Sequence, residues 1–235
     1  MIEKNIFQSW HTTELHPYIK QKIDHFRQIN SEYAYYLYTD DDMDNFVNQH
    51  FEGEIADCYN RLNIIVAKVD FWRYLVLYKY GGVYLDMDSS IELPLRDLIK
   101  NDDEAIITAE GNPGIYVQWA LIFSKHHPIL KKVIDLVVDN IKNNSYPNDI
   151  CNMTGPLVYT RGINAVHMEL FNNEIINHKQ INRQTDATYI SGDISYRLYG
   201  IDYNAFFCFK HNATHFLYNG KKHWRQEEKE KHLIV

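Results

Sequence analysis

Cysteine is scarce in this 235-residue chain. Cys58, Cys151 and Cys208 are far apart and odd in number, which excludes a disulfide framework and a thiolate zinc site. They read as buried or free thiols. Glycine (10) and proline (6) are also sparse, and no Gly-, Ser- or Pro-rich stretch marks a linker, so composition places no domain boundary. No apolar run is long enough to span a bilayer, and the opening MIEKNIFQSWH has neither the basic region nor the apolar core of a signal peptide. Positive charge is short as well: 24 Lys and Arg stand against 31 Asp and Glu, a formal net charge of −7. Without a basic block there is no electrostatic footprint for nucleic acid. Sequons at Asn143, Asn152 and Asn212 matter only after secretion.

What is present is an ordinary globular composition, 45% hydrophobic and 23% charged, in a chain long enough to close one sizeable core. Ile6 to Trp10 reads as a strand, Pro17 to Ile29 as a helix with Ile19, Ile23 and Phe26 on one face, and Tyr33 to Tyr38 as an aromatic strand. Thr39 followed by Asp40, Asp41, Asp42 and Asp44 is a capped helix start rather than a metal cluster. Arg61 to Tyr80 is nearly all helix-compatible, and Gly81-Gly82 stops it. Val83-Tyr84-Leu85 then forms a short strand. Further strands are expected at Ala105 to Ala109, Tyr116 to Phe123 and Ala205 to Phe209. Helices are expected at Pro128 to Ile141 and after Gly155-Pro156, and a solvated charged tail from Arg225 to His232. Alternating helix and strand predict a single α/β domain with a Rossmann-like mixed sheet flanked by helices.

Two features carry chemistry. Asp70 and Arg73 sit at i and i+3 on one side of an otherwise apolar helix, so they must pair, reach a cleft, or bind something polar. Asp86-Met87-Asp88 follows a strand, where open α/β sheets place their ligand crevices. Alternate residues of an extended segment diverge, so one carboxylate can bind a divalent ion while the other touches a ligand. Oxygen ligands suit Mg²⁺ or Mn²⁺. The histidines say less: His126-His127-Pro128 is a helix-start loop, and His211 and His215 are a metal pair only if their segment is helical.

The string Asp70-x-x-Arg73-Tyr74-x-x-Leu77-x-x-Tyr80-Gly81-Gly82-x-Tyr84-x-Asp86-x-Asp88 resembles the DXD signature of glycosyltransferase family 32, the Och1-like and capsular-polysaccharide type. The catalytic domain of that family is similar to those of the large clostridial glucosylating toxins. The resemblance implies a GT-A fold and a metal-dependent retaining transferase that moves a hexose from a nucleotide sugar to a glycan, lipid-linked or protein acceptor, in polysaccharide biosynthesis. It favours a UDP-sugar over a GDP-sugar, with Mn²⁺ or Mg²⁺ as cofactor.

It also implies residue roles. Asp86 contacts the donor's ribose and sugar hydroxyls, Asp88 ligates the metal, and Asp70 and Arg73 hold the transferred sugar. Tyr84 lines the donor pocket, with Gln8 and Trp10 beside the base. The C-terminal stretch His215-Phe216-Leu217-Tyr218-Asn219-Gly220-Lys221-Lys222-His223-Trp224 departs from the family's closing motif and is also similar to that of glycogenin-like transferases. It implies His215 as a metal ligand, Lys222 (or Lys221) on the diphosphate and Trp224 as a lid.

Residues 1–110 would then form the nucleotide-sugar and metal half, and 111–235 the acceptor side with the closing segment. Family members of the Golgi type carry a membrane anchor. None is evident here, which gives the expectation of a soluble, cytoplasmic enzyme of bacterial or viral origin. Two alternatives share some of the letters. One is a haloacid-dehalogenase-type phosphatase with Asp86 as nucleophile; the other is an inactive sugar- or nucleotide-binding module.

Overall fold

The computed structural model describes residues 1–112, 114–209 and 224–235. A seven-stranded sheet is built from β1 (Asn5–Ser9), β2 (Ala34–Tyr38), β3 (Gly82–Leu85), β5 (Ala105–Ala109), β6 (Ala120–Phe123), β7 (Asp186–Ser191) and β8 (Ile194–Ile201), in the order β2-β1-β3-β6-β5-β8-β7. Strands β2, β1 and β3 are mutually parallel, β6 runs antiparallel to both β3 and β5, β8 is parallel to β5, and β7 closes a hairpin on β8. A small antiparallel pair, β4 (Ser89–Ile91) with β9 (Phe207–Phe209), lies apart from the main sheet. The helices are α1 (Pro17–Ile29), α2 (Asp40–His50), α3 (Glu54–Arg61), α4 (Ile65–Tyr80), α5 (Leu95–Leu98), α6 (Pro128–Lys142), α7 (Ile150–Met153), α8 (Pro156–Leu170) and α9 (Trp224–Glu230).

Side-chain alternation along the strands divides the core in two. Phe7, Tyr84, Ile107, Leu121 and Phe123 face the layer of α2, α4, α6 and α8. Their neighbours Ile6, Val83, Leu85, Ile106 and Ile122 face α1, with Ile19, Ile23 and Phe26, and α5. Helix α4 is apolar almost all round and buried from Asp70 to Leu77, the signature of a helix packed on both sides. Asp70 and Arg73 are therefore carried into the interior.

Local signals explain the first elements. Thr39 Oγ1 accepts from the Asp42 amide while Asp42 returns bonds to Thr39, a reciprocal cap that holds the Asp42 carboxyl below its ordinary range. Gly81 and Gly82 end α4 with φ of +64° and +119° and turn the chain into β3.

Tertiary contacts override sequence periodicity elsewhere. The run from Arg61 is not one helix: α3 ends there, Leu62 bridges Ile234, and the Asn63 amide donates to Leu233 O before α4 begins. The strand expected from Tyr116 shortens to Ala120–Phe123, because Tyr116 N donates to Thr160 Oγ1 and Tyr116 only bridges Ala109. The strand expected from Ala205 starts at Phe207, after a left-handed turn at 202–205. The β7–β8 hairpin, turning at Gly192 with φ +59°, and the short β4 were not foreseen. The charged tail is a helix that is largely solvated, yet Glu228 accepts from the Ile150 amide and Leu233 reaches the core.

A Cβ on Gly82 would lie 2.5 Å from Asn5 O, in backbone that has no room to move. Gly82→Ala is therefore expected to destabilise the fold by about 2–3 kcal/mol, from positive-φ strain plus the clash. Urea denaturation measures this, and a cost below about 0.5 kcal/mol would refute the close approach of β1 and β3.

Candidate active site

Because β6 runs against its neighbours, its N-terminal end shares one sheet edge with the C-terminal ends of β1, β2, β3, β5 and β8. The Asp86–Asp88 turn sits at the middle of that edge. Its backbone is pinned: the Asp86 amide donates to Trp119 O at 2.8 Å, and Asp86 O accepts from the Ser89 amide at 3.0 Å and from Gln8 Nε2 at 3.1 Å. Gln8 is fully buried, and its Oε1 accepts from Tyr35 OH at 3.0 Å, so Gln8 supports the turn from β1.

The Asp86 side chain is held from below. Tyr84, two residues back on the same face of β3, donates to Asp86 Oδ1 at 2.6 Å. Arg73 Nη2 lies 3.2 Å from the same oxygen and 3.1 Å from Asp70 Oδ1, while its guanidinium stacks 4.6 Å from the centre of the Tyr84 ring. Arg73 Nη1 donates to Gln118 O at 3.0 Å and to Gln118 Oε1 at 2.8 Å. Gln118 Nε2 in turn donates to Asp70 Oδ1 at 3.0 Å, and Thr154 Oγ1 donates to Asp70 Oδ2 at 3.2 Å. Gly155 completes the fit, since a Cβ there would sit 3.2 Å from Asp70 Oδ2 and 2.9 Å from Cys151 Cα.

Electrostatics fix the protonation states. Burial works to lower the Arg73 pKa, but Asp86, Tyr84 and Asp70 outweigh it and push it up, so the guanidinium stays charged. Burial drives Tyr84 well above its ordinary value, which keeps the phenol protonated and donating to Asp86. Burial also raises the Asp70 carboxyl, against the pull of Arg73 and Gln118. Asp70 and Arg73 are about 95% buried, whereas the Asp86 side chain is 26% exposed. Asp86 is thus the member of the network that faces a cleft.

Asp88 is a buried carboxylate in the same turn, next to Ser89, whose buried Oγ has no hydrogen-bond partner. Among the described residues no three His, Cys, Asp or Glu side chains cluster as a metal cage. One or two carboxylates at a phosphate site are nevertheless the usual protein share of an Mg²⁺ shell, so this oxygen-only donor set fits such an ion. Trp10 follows β1 at the same edge, half-buried. His215, Lys221 and Lys222 and the side chain of Trp224 lie outside the described residues.

Sequence reasoning required a partner for Asp70 and Arg73 but did not identify Gln118 or Thr154, which come from 48 and 84 residues away from Asp70. In the sequence Gly155-Pro156 reads as a helix start and a weak echo of the family pattern, and Thr154 carries no signal.

Residues 16–105, which contain this turn and its supporting helix, match the family model described as the glycosyltransferase sugar-binding region containing the DXD motif. This stretch is similar to the sugar-binding region of the DXD glycosyltransferases. Beyond it, the chain is 24% identical over 197 residues to an initiation-specific alpha-1,6-mannosyltransferase of Candida albicans, covering 67% of this chain and 51% of that protein. It is 29% identical over 157 residues to inositol phosphoceramide mannosyltransferase 3 of Schizosaccharomyces pombe, covering 66% and 43%. The chain thus spans about half the length, or less, of these relatives. Among solved structures it is similar to the PaToxG glycosyltransferase, with a TM-score of 0.56, 20% identity, and coverage of 73% of this chain and 71% of that one. The fold is that of a GT-A glycosyltransferase.

These findings correct one expectation and remove another. The cytoplasmic enzyme of bacterial or viral origin is overturned by relatives that are yeast mannosyltransferases. Among the described residues, no helix is long and apolar enough to cross a membrane. The phosphatase alternative falls because the whole Asp70-to-Asp88 string, not the Asp-x-Asp alone, belongs to the DXD region.

Arg73→Ala would leave two carboxylates and the Gln118 carbonyl facing an uncompensated gap, at an expected cost of about 3–5 kcal/mol. Asp70→Asn, which keeps an oxygen for Gln118 Nε2, is expected to cost less than half as much. Paired urea titrations check the ordering; equal costs would show that the charge of Asp70 matters as much as the guanidinium and overturn it.

Proposed function

We propose that the chain is a metal-dependent, retaining hexosyltransferase that carries mannose from a nucleotide sugar to a glycan-type acceptor. The observation that carries this reading is the partly exposed Asp86 carboxylate, fixed at the sheet edge by Tyr84 and Arg73, with the Asp88 carboxylate in the same turn. Mannose is favoured over the other hexoses because relatives from two yeasts are named as mannosyltransferases and one from a third as a mannosyl phosphorylinositol ceramide synthase.

In this reading Asp86 accepts hydrogen bonds from donor hydroxyls, and its position is set rather than searched for. A carboxylate held by a charge-assisted bond and a phenol loses little freedom when the donor arrives, which is preorganisation. Asp70 and Arg73 form the floor under the transferred sugar, and Arg73 pairs with the Asp86 carboxylate. Gln8 anchors the turn from the side of β1, where Trp10 is placed to pack on the base. Asp88 would hold Mn²⁺ or Mg²⁺, and such an ion supplies charge neutralisation for the departing diphosphate. The acceptor hydroxyl attacks the anomeric carbon on the face that the diphosphate leaves, and the leaving phosphate oxygen takes the hydroxyl proton. Retention without a covalent intermediate is favoured because Asp70, the buried carboxyl that shares Arg73 with Asp86, is saturated by Arg73, Gln118 and Thr154. Residues 1–110 would supply the donor half, and 111–235 the acceptor side and closing segment, with His215, Lys222 and Trp224 completing the donor site.

A thermal-shift and hydrolysis panel with UDP-glucose, UDP-galactose, UDP-N-acetylglucosamine and GDP-mannose, each with Mn²⁺, Mg²⁺ or chelator, tests the activity. One donor is expected to stabilise the protein only with metal, by about 2–3 kcal/mol at a hundredfold excess over Kd, and to be slowly hydrolysed. Metal-dependent binding without any turnover to water or sugar would instead support the inactive binding module. Asp88→Asn is expected to abolish the metal-dependent part of the shift while leaving the melting of the free protein within about 1 kcal/mol. Unchanged donor binding by that variant would remove Asp88 from the metal site.

A further inference from the structure

The seven-stranded sheet ends on one side at β2, and among the described residues nothing pairs with its outer edge. The bonds toward β1 show which backbone groups are left over. Ala34 N donates to Lys4 O, Trp10 N donates to Tyr38 O, and the register between them runs without a break. In a parallel ladder such bonds fall to alternate residues, so Ala34, Tyr36 and Tyr38 turn their backbone groups to β1 while Tyr35 and Leu37 turn theirs outward. Two amides and two carbonyls stand in a row on that edge.

Proteins ordinarily blunt a free edge with lysine, proline, a bulge or a covering element. The strand Ala34–Tyr38 has no charge, no proline and no bulge, and three of its five residues are strand-favouring tyrosines. Beside it runs a cavity of about 610 Å³, lined by residues 35–38 on one side and by α2, with Asp42, Asn45 and Gln49, on the other. Tyr36, the middle residue, stacks 5.3 Å from Phe7 on the α2 face and is still 44% exposed.

The outward groups complement themselves in one register. A half-turn about an axis through Tyr36, normal to the sheet, sets Tyr35 opposite the second copy's Leu37, and Leu37 opposite its Tyr35. Each of these pairs exchanges both N–H···O bonds, four in all, and every outward group is satisfied. Moving the axis to Tyr35 or Leu37 would call on the amide of Tyr33 or Thr39, and those already donate to Asn30 O and Asp42 Oδ2, both at 2.9 Å. The same half-turn keeps both α2 helices on one face and runs them in opposite directions. The acidic first turn, Asp40 to Asp42, then lies beside the second copy's last turn, with Gln49 and the basic His50, rather than against another acidic turn.

We propose that this edge is the contact surface for a second copy of the chain, joined through antiparallel β2 strands about a two-fold axis at Tyr36. Such a contact is isologous and closed, so it stops at a dimer. The two Asp86 turns point in opposite directions and stay open, each separated from the contact by β1 and β3. The contact is the same whether or not the Asp86 turn transfers sugar.

Sedimentation velocity of the full chain up to about 100 µM is expected to show a concentration-dependent dimer. Oxidative cross-linking then reads the register. Cα atoms of a non-hydrogen-bonded antiparallel pair are about 4.5 Å apart, within the span of a disulfide, so Tyr36→Cys is expected to give an interchain disulfide. The two copies of an Ala34→Cys variant, also exposed, would lie more than about 12 Å apart and are expected to cross-link no more than the wild type, whose three cysteines are buried or half-buried. Should the loss of the Tyr36 ring prevent association, Gln49 provides a second measurement. Gln49→Lys, placed near the second copy's Asp42, is expected to tighten the dimer at least threefold and Gln49→Glu to weaken it as much, opposite effects that a folding defect does not produce. A monomer at every concentration would overturn the assignment and leave the edge to an extended segment of another protein. Equal cross-linking at positions 34 and 36, or Gln49 variants that shift the equilibrium in the same direction or not at all, would overturn it as well.

Discussion

The buried guanidinium of Arg73 is the interaction on which the active edge depends. Removing a full charge from water costs several kcal/mol, which is recovered only when geometry and hydrogen bonding are both good. Here the recovery comes from Asp70 on the same helix, Asp86 after β3, and the carbonyl and side chain of Gln118 before β6. None of these partners can shift without stranding the charge. Helix α4, strand β3 and the loop into β6 are thereby locked in register, and Asp86 is aimed as a by-product of satisfying Arg73.

That lock also explains the antiparallel strand in an otherwise largely parallel sheet. A parallel β6 would deliver its N-terminal loop to the far edge, away from Asp86. By running against β3, it brings Gln118 and Trp119 to the active edge, one under the Asp70–Arg73 pair and the other on the Asp86 amide. Adjacent residues of one loop thus serve the two faces of the turn.

Elements whose causes are local were legible in the sequence. Helix α1 has the bounds that Pro17 and the spacing of Ile19, Ile23 and Phe26 predict, Thr39 caps α2, and Gly81-Gly82 terminates α4. Where a distant segment decides, the sequence misleads. The break between α3 and α4 is made by the chain end at Leu233 and Ile234, and the shortening of β6 by Thr160 on α8. The same holds in the site. Spacing pairs Asp70 with Arg73 on one helix and puts Asp86 at a strand end, the family resemblance joins Tyr84 to them, and Gln118 and Thr154 carry no pattern that points to Asp70.

The charge balance at this edge bears on how an anionic donor could settle there. The Arg73 guanidinium is committed to Asp70 and Asp86, and the Asp88 carboxylate lies in the same turn as Asp86. A nucleoside diphosphate brought to such an edge would meet like charge in a partly desolvated cleft, where repulsion is weakly screened. Arg73, already paired with two carboxylates, has little charge left for such a phosphate. The charge that orients Asp86 is spent on orientation, so Arg73 sets the geometry of the edge rather than receiving an anion.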